Sequence, residues 1–172
     1  FYSTKFFKYM PPTILTKDIN KIKIFYKKYK KIVIKPIHGY AGKGILFLNN
    51  TFKKKEISKL LHKNGHVMVQ KFLPNVKKGD KRVFIINGKV CGAIRRIPSK
   101  NSILSNISQG GTAVKTTLNL KQNKISSVIA KDLLKNKIYF AGIDFVSNYL
   151  IGDINVTSPT GLPQYKELTG VN

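Results

Sequence analysis

Gly152-Asp153-Ile154-Asn155-Val156-Thr157-Ser158-Pro159-Thr160-Gly161 is the stretch on which the reading of this chain turns. A carboxylate and a carboxamide stand two residues apart. Leu150, Gly152, Ile154 and Val156 alternate with Ile151, Asp153, Asn155 and Thr157. That period of two predicts a strand with Asp153 and Asn155 on one face. Two oxygen ligands side by side suit a hard cation such as Mg²⁺, which fills the rest of its shell with substrate phosphates. Ser158 and Thr160 follow at the strand end, where Pro159 and Gly161 set a turn. A polar strand edge running into a loop would give the same letters, so the neighbouring segments must decide.

Working back along the chain, Gly142-Ile143-Asp144-Phe145 places an acid inside an apolar strand. A buried charge is expensive unless it is paired or bound to metal. Strands over 138–146 and 149–156, joined at Ser147-Asn148, bring Asp144 beside Asp153. The chain has seven acidic residues in all, so Asp144, Asp153 and Asn155 form a candidate Mg²⁺ set. Gly79-Asp80-Lys81-Arg82 puts Asp80 and Arg82 on one face of a starting strand. Asp80 could accept from a ribose hydroxyl, and Arg82 could hold a carboxylate or phosphate in its planar fork. A surface ion pair of little energetic value is the competing account. Arg95 and Arg96 are adjacent on a strand, so only one of them enters a site.

Lys35 ends the apolar run Ile32-Val33-Ile34, just before Pro36, and could neutralise phosphate as a point charge. The glycine loop His38-Gly39-Tyr40-Ala41-Gly42-Lys43-Gly44 lets the backbone approach an anion. It matches neither the dinucleotide nor the Walker pattern. Backbone groups of Gln70-Lys71-Phe72-Leu73, at another strand end, could pair with a base edge. His38, His62 and His66 lack metal-ligand spacing. Cys91 is alone and expected in the core, so no disulfide forms within the chain and a reducing cytoplasm is expected.

Helical spacing of Ile19, Ile22, Phe25, Tyr26 and Tyr29 predicts a helix opened by Thr16 or Asp18. A basic helix is expected over 54–63 and another over 125–134. Asn87-Gly88 predicts a hairpin between 82–86 and 89–97. Residues 99–113 read as a long mobile loop. The tail after Gly161 carries no signal. The meandering strand order predicts an α+β fold with mostly antiparallel sheets and packed helices. A polar connector at 74–79 marks a lobe boundary, giving lobes 1–73 and 74–172.

Of the 172 residues, 42% are hydrophobic, enough for a core; the formal net charge is +25. Arg82, Arg95 and Arg96 are the only arginines, and lysine is spread through every segment beside abundant Ile and Asn. This reads as codon usage in an AT-rich genome, not as a clustered nucleic-acid face. A basic nucleic-acid module stays as the alternative from a different class. No apolar run reaches membrane-spanning length.

Ile34-Lys35-Pro36 with its glycine loop, Gln70-Lys71-Phe72-Leu73-Pro74, Gly79-Asp80-Lys81-Arg82, Arg96-Ile97-Pro98, Gly142-Ile143-Asp144 and Ile154-Asn155-Val156-Thr157-Ser158-Pro159-Thr160 together resemble the prokaryotic glutathione synthetases, which are ATP-grasp ligases. The last motif is the specific one. The resemblance implies two α+β lobes gripping ATP between them. It assigns Lys35, Gly39, Gly42, Gly44, Gln70, Lys71, Phe72, Leu73 and Asp80 to ATP. Arg82 and Arg96 become the catalytic arginines. Arg82, Asn106, Ser158 and Thr160 go to the substrate, and Asp144, Asp153 and Asn155 to Mg²⁺, with Mn²⁺ as a substitute. It implies γ-glutamylcysteine and glycine as substrates, joined through an acyl phosphate; another ATP-grasp ligase, such as a glutamate-adding enzyme, is the same-fold alternative. A homo-oligomeric whole protein is expected, with no membrane or nucleic-acid partner. The chain departs from the family pattern at His38, Ala41, Leu104 and Asp153. It is expected to be a fragment, with residues 1–12 the lead-in from a missing N-terminal domain and a last helix missing after Asn172.

Overall fold

The structure is a computed structural model that describes residues 2–38, 44–100, 105, 107 and 110–171; the side chains of Tyr2, Ser3 and Asp153 are outside that description. The chain divides into two compact units, Pro11–Leu73 on one hand and Tyr2–Met10 with Pro74–Asn172 on the other. Residues 2–10, read from sequence as the start of the first lobe, therefore group with the second unit.

The first unit carries strands β1 (Thr13–Thr16), β2 (Ile32–Pro36), β3 (Leu46–Leu48) and β4 (Val67–Lys71), with helices α1 (Ile19–Tyr29) and α2 (Lys54–Asn64). The strands pair in the order β1-β4-β2-β3, antiparallel throughout. Asp18 caps α1, its side chain accepting from the Asn20 N–H at 2.7 Å, which satisfies a donor the helix leaves open. Alternation along β2 and β4 sends Ile32, Ile34, Val67 and Val69 to one sheet face. There they meet Ile22 and Phe25 of α1 and Ile57 of α2 in a single core. The opposite face receives Val33, Lys35, Met68 and Gln70, with Thr13 opposite Gln70. Both helices cover the apolar face, so the polar positions are left to the other one.

The second unit begins with a 3₁₀ segment at Tyr2–Tyr9 and resumes after Leu73 with another at Pro74–Lys78. Its sheet contains β5 (Asp80–Ile86), β6 (Lys89–Ile97), β7 (Thr112–Lys115), β8 (Phe140–Val146) and β9 (Tyr149–Asn155). The order is β7-β6-β5-β8-β9, again antiparallel at every pairing. Asn87 and Gly88 both have positive φ, 48° and 74°, as the tight hairpin turn requires. Helix α3 (Leu120–Lys135) buries Ile125, Ile129 and Leu133. Asn119 opens it with a reciprocal capping box, accepting from the Gln122 N–H at 2.9 Å while the Gln122 side chain accepts from the Asn119 N–H at 3.1 Å. Helix α4 (Leu162–Thr169) follows Gly161.

Four features differ from the sequence reading. Strands β1 and β7 and helix α4 were not anticipated, being four, four and eight residues long, too short to show a period. Cys91 is exposed rather than in the core, because it lies near the outer end of β6. Residues 101–104, 106, 108 and 109 of the 99–113 stretch lie outside the described residues, but Ser105 within it is 3% exposed, and its last residues enter β7. The alternation read across 150–157 is interrupted. Asp144 pairs with Ile151, whereas Gly142 pairs with Asn155, with a register shift between. Ile143 thus faces three residues of β9, and Gly152 at that irregularity has φ +65°, as expected of a bulge.

Candidate functional site

Two arginines and two aspartates converge on one face of the second sheet. Cross-strand register explains the meeting: Asp80 is opposite Arg96, and Arg82 is opposite both Ile94 and Asp144. Residues 80 and 82 share a face, so all four charged side chains do. Arg96 grips Asp80 in a bidentate pair, Nε to Oδ1 at 2.7 Å and Nη2 to Oδ2 at 2.8 Å. It also reaches Asp144 Oδ2 at 2.9 Å. Arg82 donates from Nε and Nη2 to the two oxygens of Asp144 and from Nη1 to the Thr160 carbonyl at 3.1 Å. Ser105 Oγ donates to Asp80 Oδ2. Asp80, Arg82 and Arg96 are 4%, 5% and 3% exposed. The cluster is therefore neutral as a whole and paired member by member, which is how buried charge survives.

Each ionisation follows its surroundings. Burial pushes the Asp144 carboxyl up, but the Arg82 and Arg96 guanidiniums outweigh it and hold it at about 2. Burial and the nearby Asp144 charge raise Asp80, against the lowering pull of Arg96 and Ser105. Burial opposes the Arg96 charge, yet the two aspartates raise its pKa.

Asn155 lies on the same sheet face as Asp144, since its partner Gly142 is two residues from Asp144 on β8. Its Oδ1 accepts from the Thr157 N–H at 3.2 Å and the Ser158 N–H at 3.0 Å, while its Nδ2 donates to the Ser158 carbonyl at 3.2 Å. The side chain thus closes the turn that presents Ser158 and Thr160, both exposed. Gly142 packs closely beneath that turn: a Cβ there would lie 3.0 Å from Arg82 Cδ and 3.1 Å from Pro159 Cβ, so those side chains would have to give by a few tenths of an ångström.

A hard cation needs oxygen donors. Among the described residues no three His, Cys, Asp or Glu side chains gather into a metal site. Asp144 and Asn155 supply two oxygen donors on one face. A carboxylate offers about four lone-pair directions, and the arginines engage three here. Asn155 Oδ1 has two lone pairs and already accepts from the Thr157 and Ser158 N–H groups. A cation here would find one open position on Asp144, would have to displace a turn hydrogen bond to use Asn155, and would take its remaining ligands from phosphate oxygens. The Asp153 side chain lies outside the described residues.

In the first unit, Lys35 Nζ donates to Gln70 Oε1 at 2.8 Å, and Gln70 Nε2 donates to Thr13 Oγ1 at 2.9 Å. The Lys71 and Phe72 N–H groups are engaged by the Pro12 and Lys31 carbonyls at 2.9 and 3.0 Å. Phe72 packs on Phe47 with ring centroids 4.6 Å apart. Gly44 is exposed at φ +74°. Gly39, Gly42 and Asn106 lie outside the described residues. Two contributors had no signature in the sequence reading, Ser105 and Thr13. Ser105 sits in an aperiodic run, and Thr13 in a strand four residues long.

Residues 1–170 match the family model for the prokaryotic glutathione synthetase ATP-grasp domain. The chain belongs to this family. It is 39% identical over 174 residues to the glutathione synthetase of Synechocystis sp., covering 99% of this chain and 54% of that protein. It is 38% identical over 172 residues to the glutathione synthetase of Nostoc sp., covering 98% and 53%. The chain thus spans about half the length of the curated relatives it matches. Among solved structures, D-alanine–D-alanine ligase from Bacillus anthracis shares the fold with a TM-score of 0.65 at 18% identity, over 98% of this chain and 60% of that one. The antiparallel α+β fold of this family member is the ATP-grasp fold. No helix among the described residues is long and apolar enough to cross a membrane.

Proposed function

We propose that the whole protein is an ATP-dependent ligase that joins γ-glutamylcysteine and glycine to make glutathione. The observation that carries this reading is the family match across residues 1–170. The first unit acts as the small ATP-grasp lobe and the second as the large one. Lys35 supplies a cation to ATP phosphates, beside the glycine loop with Gly39, Gly42 and Gly44. Gln70–Leu73 lie along the adenine.

In the second unit, Arg82 and Arg96 are assigned to phosphate or substrate carboxylate, which would have to compete with the aspartates that occupy both guanidinium forks. Asp80 holds Arg96 in place; as both its oxygens accept hydrogen bonds from the chain, a ribose contact would have to compete with them. Asp144, Asp153 and Asn155 would hold Mg²⁺, which when bound supplies charge neutralisation at the phosphates. Ser158, Thr160 and Asn106 are assigned to the peptide substrate.

The γ-glutamylcysteine carboxylate attacks the γ-phosphate of ATP, releasing ADP and forming an acyl phosphate. The glycine amine then displaces phosphate, so one C–N bond forms and one C–O bond breaks. No protein nucleophile is needed; the residues position the reactants and offset their charge. The cytoplasm is the expected compartment, and the whole protein is expected to be oligomeric.

Measuring ADP release by the whole protein tests the reading. With γ-glutamylcysteine present, glycine should support turnover and glutamate should not. The reverse preference would falsify it in favour of a glutamate-adding ligase.

A further inference from the structure

We propose that Thr13 and Gln70 are positioning residues that aim the Lys35 ammonium, so that ATP affinity depends on both although neither side chain touches ATP. The inference rests on the reading of Lys35 as an ATP phosphate contact. Three neighbouring strands build the relay. Thr13 of β1 is opposite Gln70 of β4, and Gln70 is opposite Val33 of β2, with Lys35 two residues further on the same face. The Thr13 hydroxyl donates to the Pro11 carbonyl at 2.6 Å. It receives Gln70 Nε2 at 2.9 Å, and Gln70 Oε1 receives Lys35 Nζ at 2.8 Å.

A hydroxyl carries one proton. Once that proton is given to the Pro11 carbonyl, Thr13 Oγ1 can only accept. The amide of Gln70 must then turn its N–H₂ group to Thr13, which leaves its oxygen facing Lys35. The flipped amide would set N–H₂ against an ammonium and oxygen against oxygen, so the network fixes the orientation. Gln70 is 3% exposed, which holds the amide in place. Lysine has a flexible four-carbon stem, and ordering it on binding costs rotamer entropy. An acceptor already engaged removes part of that cost. A neutral amide does this without cancelling the charge that phosphate needs, which a carboxylate at the same place would do.

The test is calorimetric titration of ATP with MgCl₂ into the whole protein and its variants. Lys35→Met should weaken ATP binding by about tenfold or more, as loss of a charge-assisted contact does. If it does not, the reading of Lys35 and this proposal fall together. With Lys35 present, Thr13→Val should weaken binding by about threefold to tenfold, and Thr13→Ser should retain wild-type affinity. Gln70→Leu should weaken binding at least as much as Thr13→Val. In the Lys35→Met background, Thr13→Val and Gln70→Leu should cost nothing further. A Gln70→Leu loss that persists in that background means Gln70 meets the nucleotide itself; this overturns the positioning role while leaving Lys35 its contact. Wild-type affinity for Thr13→Val overturns it as well. Should Gln70→Leu fail to fold, the near-isosteric Thr13 pair decides alone.

Discussion

Asp144 accepts hydrogen bonds from both arginines of the cluster, so its charge state governs more than one pair. Its folded pKa of about 2 lies below the ordinary 3.8. Its stabilising contribution is therefore complete above about pH 4 and disappears as the pH falls through about 2. Asp80 has the opposite sign: its pKa is raised from the ordinary 3.8, so the folded state loses stability as the pH climbs from that ordinary value to the raised one, and the cost is constant above it. Asp144→Asn should lower unfolding free energy at pH 7 by about 3 kcal/mol, because two buried guanidiniums lose their shared counter-charge. It should also flatten the fall in stability between about pH 4 and pH 2. Urea unfolding at a series of pH values measures both, and a variant as stable as wild type at neutral pH would contradict the account. Sequence alone marked Asp144 as an acid in an apolar strand. It did not show that arginines, rather than metal alone, answer that charge, because Arg82 is 62 residues away and the pairing exists only in the sheet register.

Helix α4 shows how a short element is held. A Cβ at Gly92 would lie 2.3 Å from Tyr165 Cζ, so β6 leaves space there for the Tyr165 ring, which also packs on Phe84 with centroids 5.6 Å apart. The Tyr165 hydroxyl donates to the Cys91 carbonyl at 3.2 Å. Gly92→Ala should therefore destabilise the second unit by about 1–3 kcal/mol through overpacking. Adding Tyr165→Ala should cost less in that background than in wild type, since the clash is then already removed. Thermal melts of the four proteins decide the cycle, and strict additivity would count against this packing. The longer elements were legible beforehand. Ile22 and Phe25 on α1, the apolar run Ile32-Val33-Ile34 of β2 and the Asn87-Gly88 turn are all local signals. Helix α4, β1 and β7 escaped because four to eight residues do not define a period, and what secures them comes from distant strands. The glycine at Gly92 reads as a weakness in a strand until the ring above it is seen.

On the scale of the whole molecule, 32 basic residues face 7 acidic ones. Rows such as Lys55, Lys59 and Lys63 on α2 repeat every fourth position and are exposed, where like charges repel. Screening should relieve this. Raising NaCl from about 10 to about 300 mM should raise the melting temperature of the protein by a few degrees, and a flat or falling melting temperature would refute it. The polar run at 74–79 was read as a boundary, and Leu73 and Pro74 fall in different compact units; nothing in the sequence pointed to the membership of Tyr2–Met10. That segment packs against β9 and sends Lys5 to Asp132 at 3.5 Å, contacts made with residues more than 120 positions away. The second unit is thus assembled from two separate stretches, with all of Pro11–Leu73 looped out between them. On the ribosome this sets an order of birth. The looped-out portion can fold as soon as it emerges, whereas the Tyr2–Met10 turn, made before it, must wait for β9, made well after it, before it finds its place.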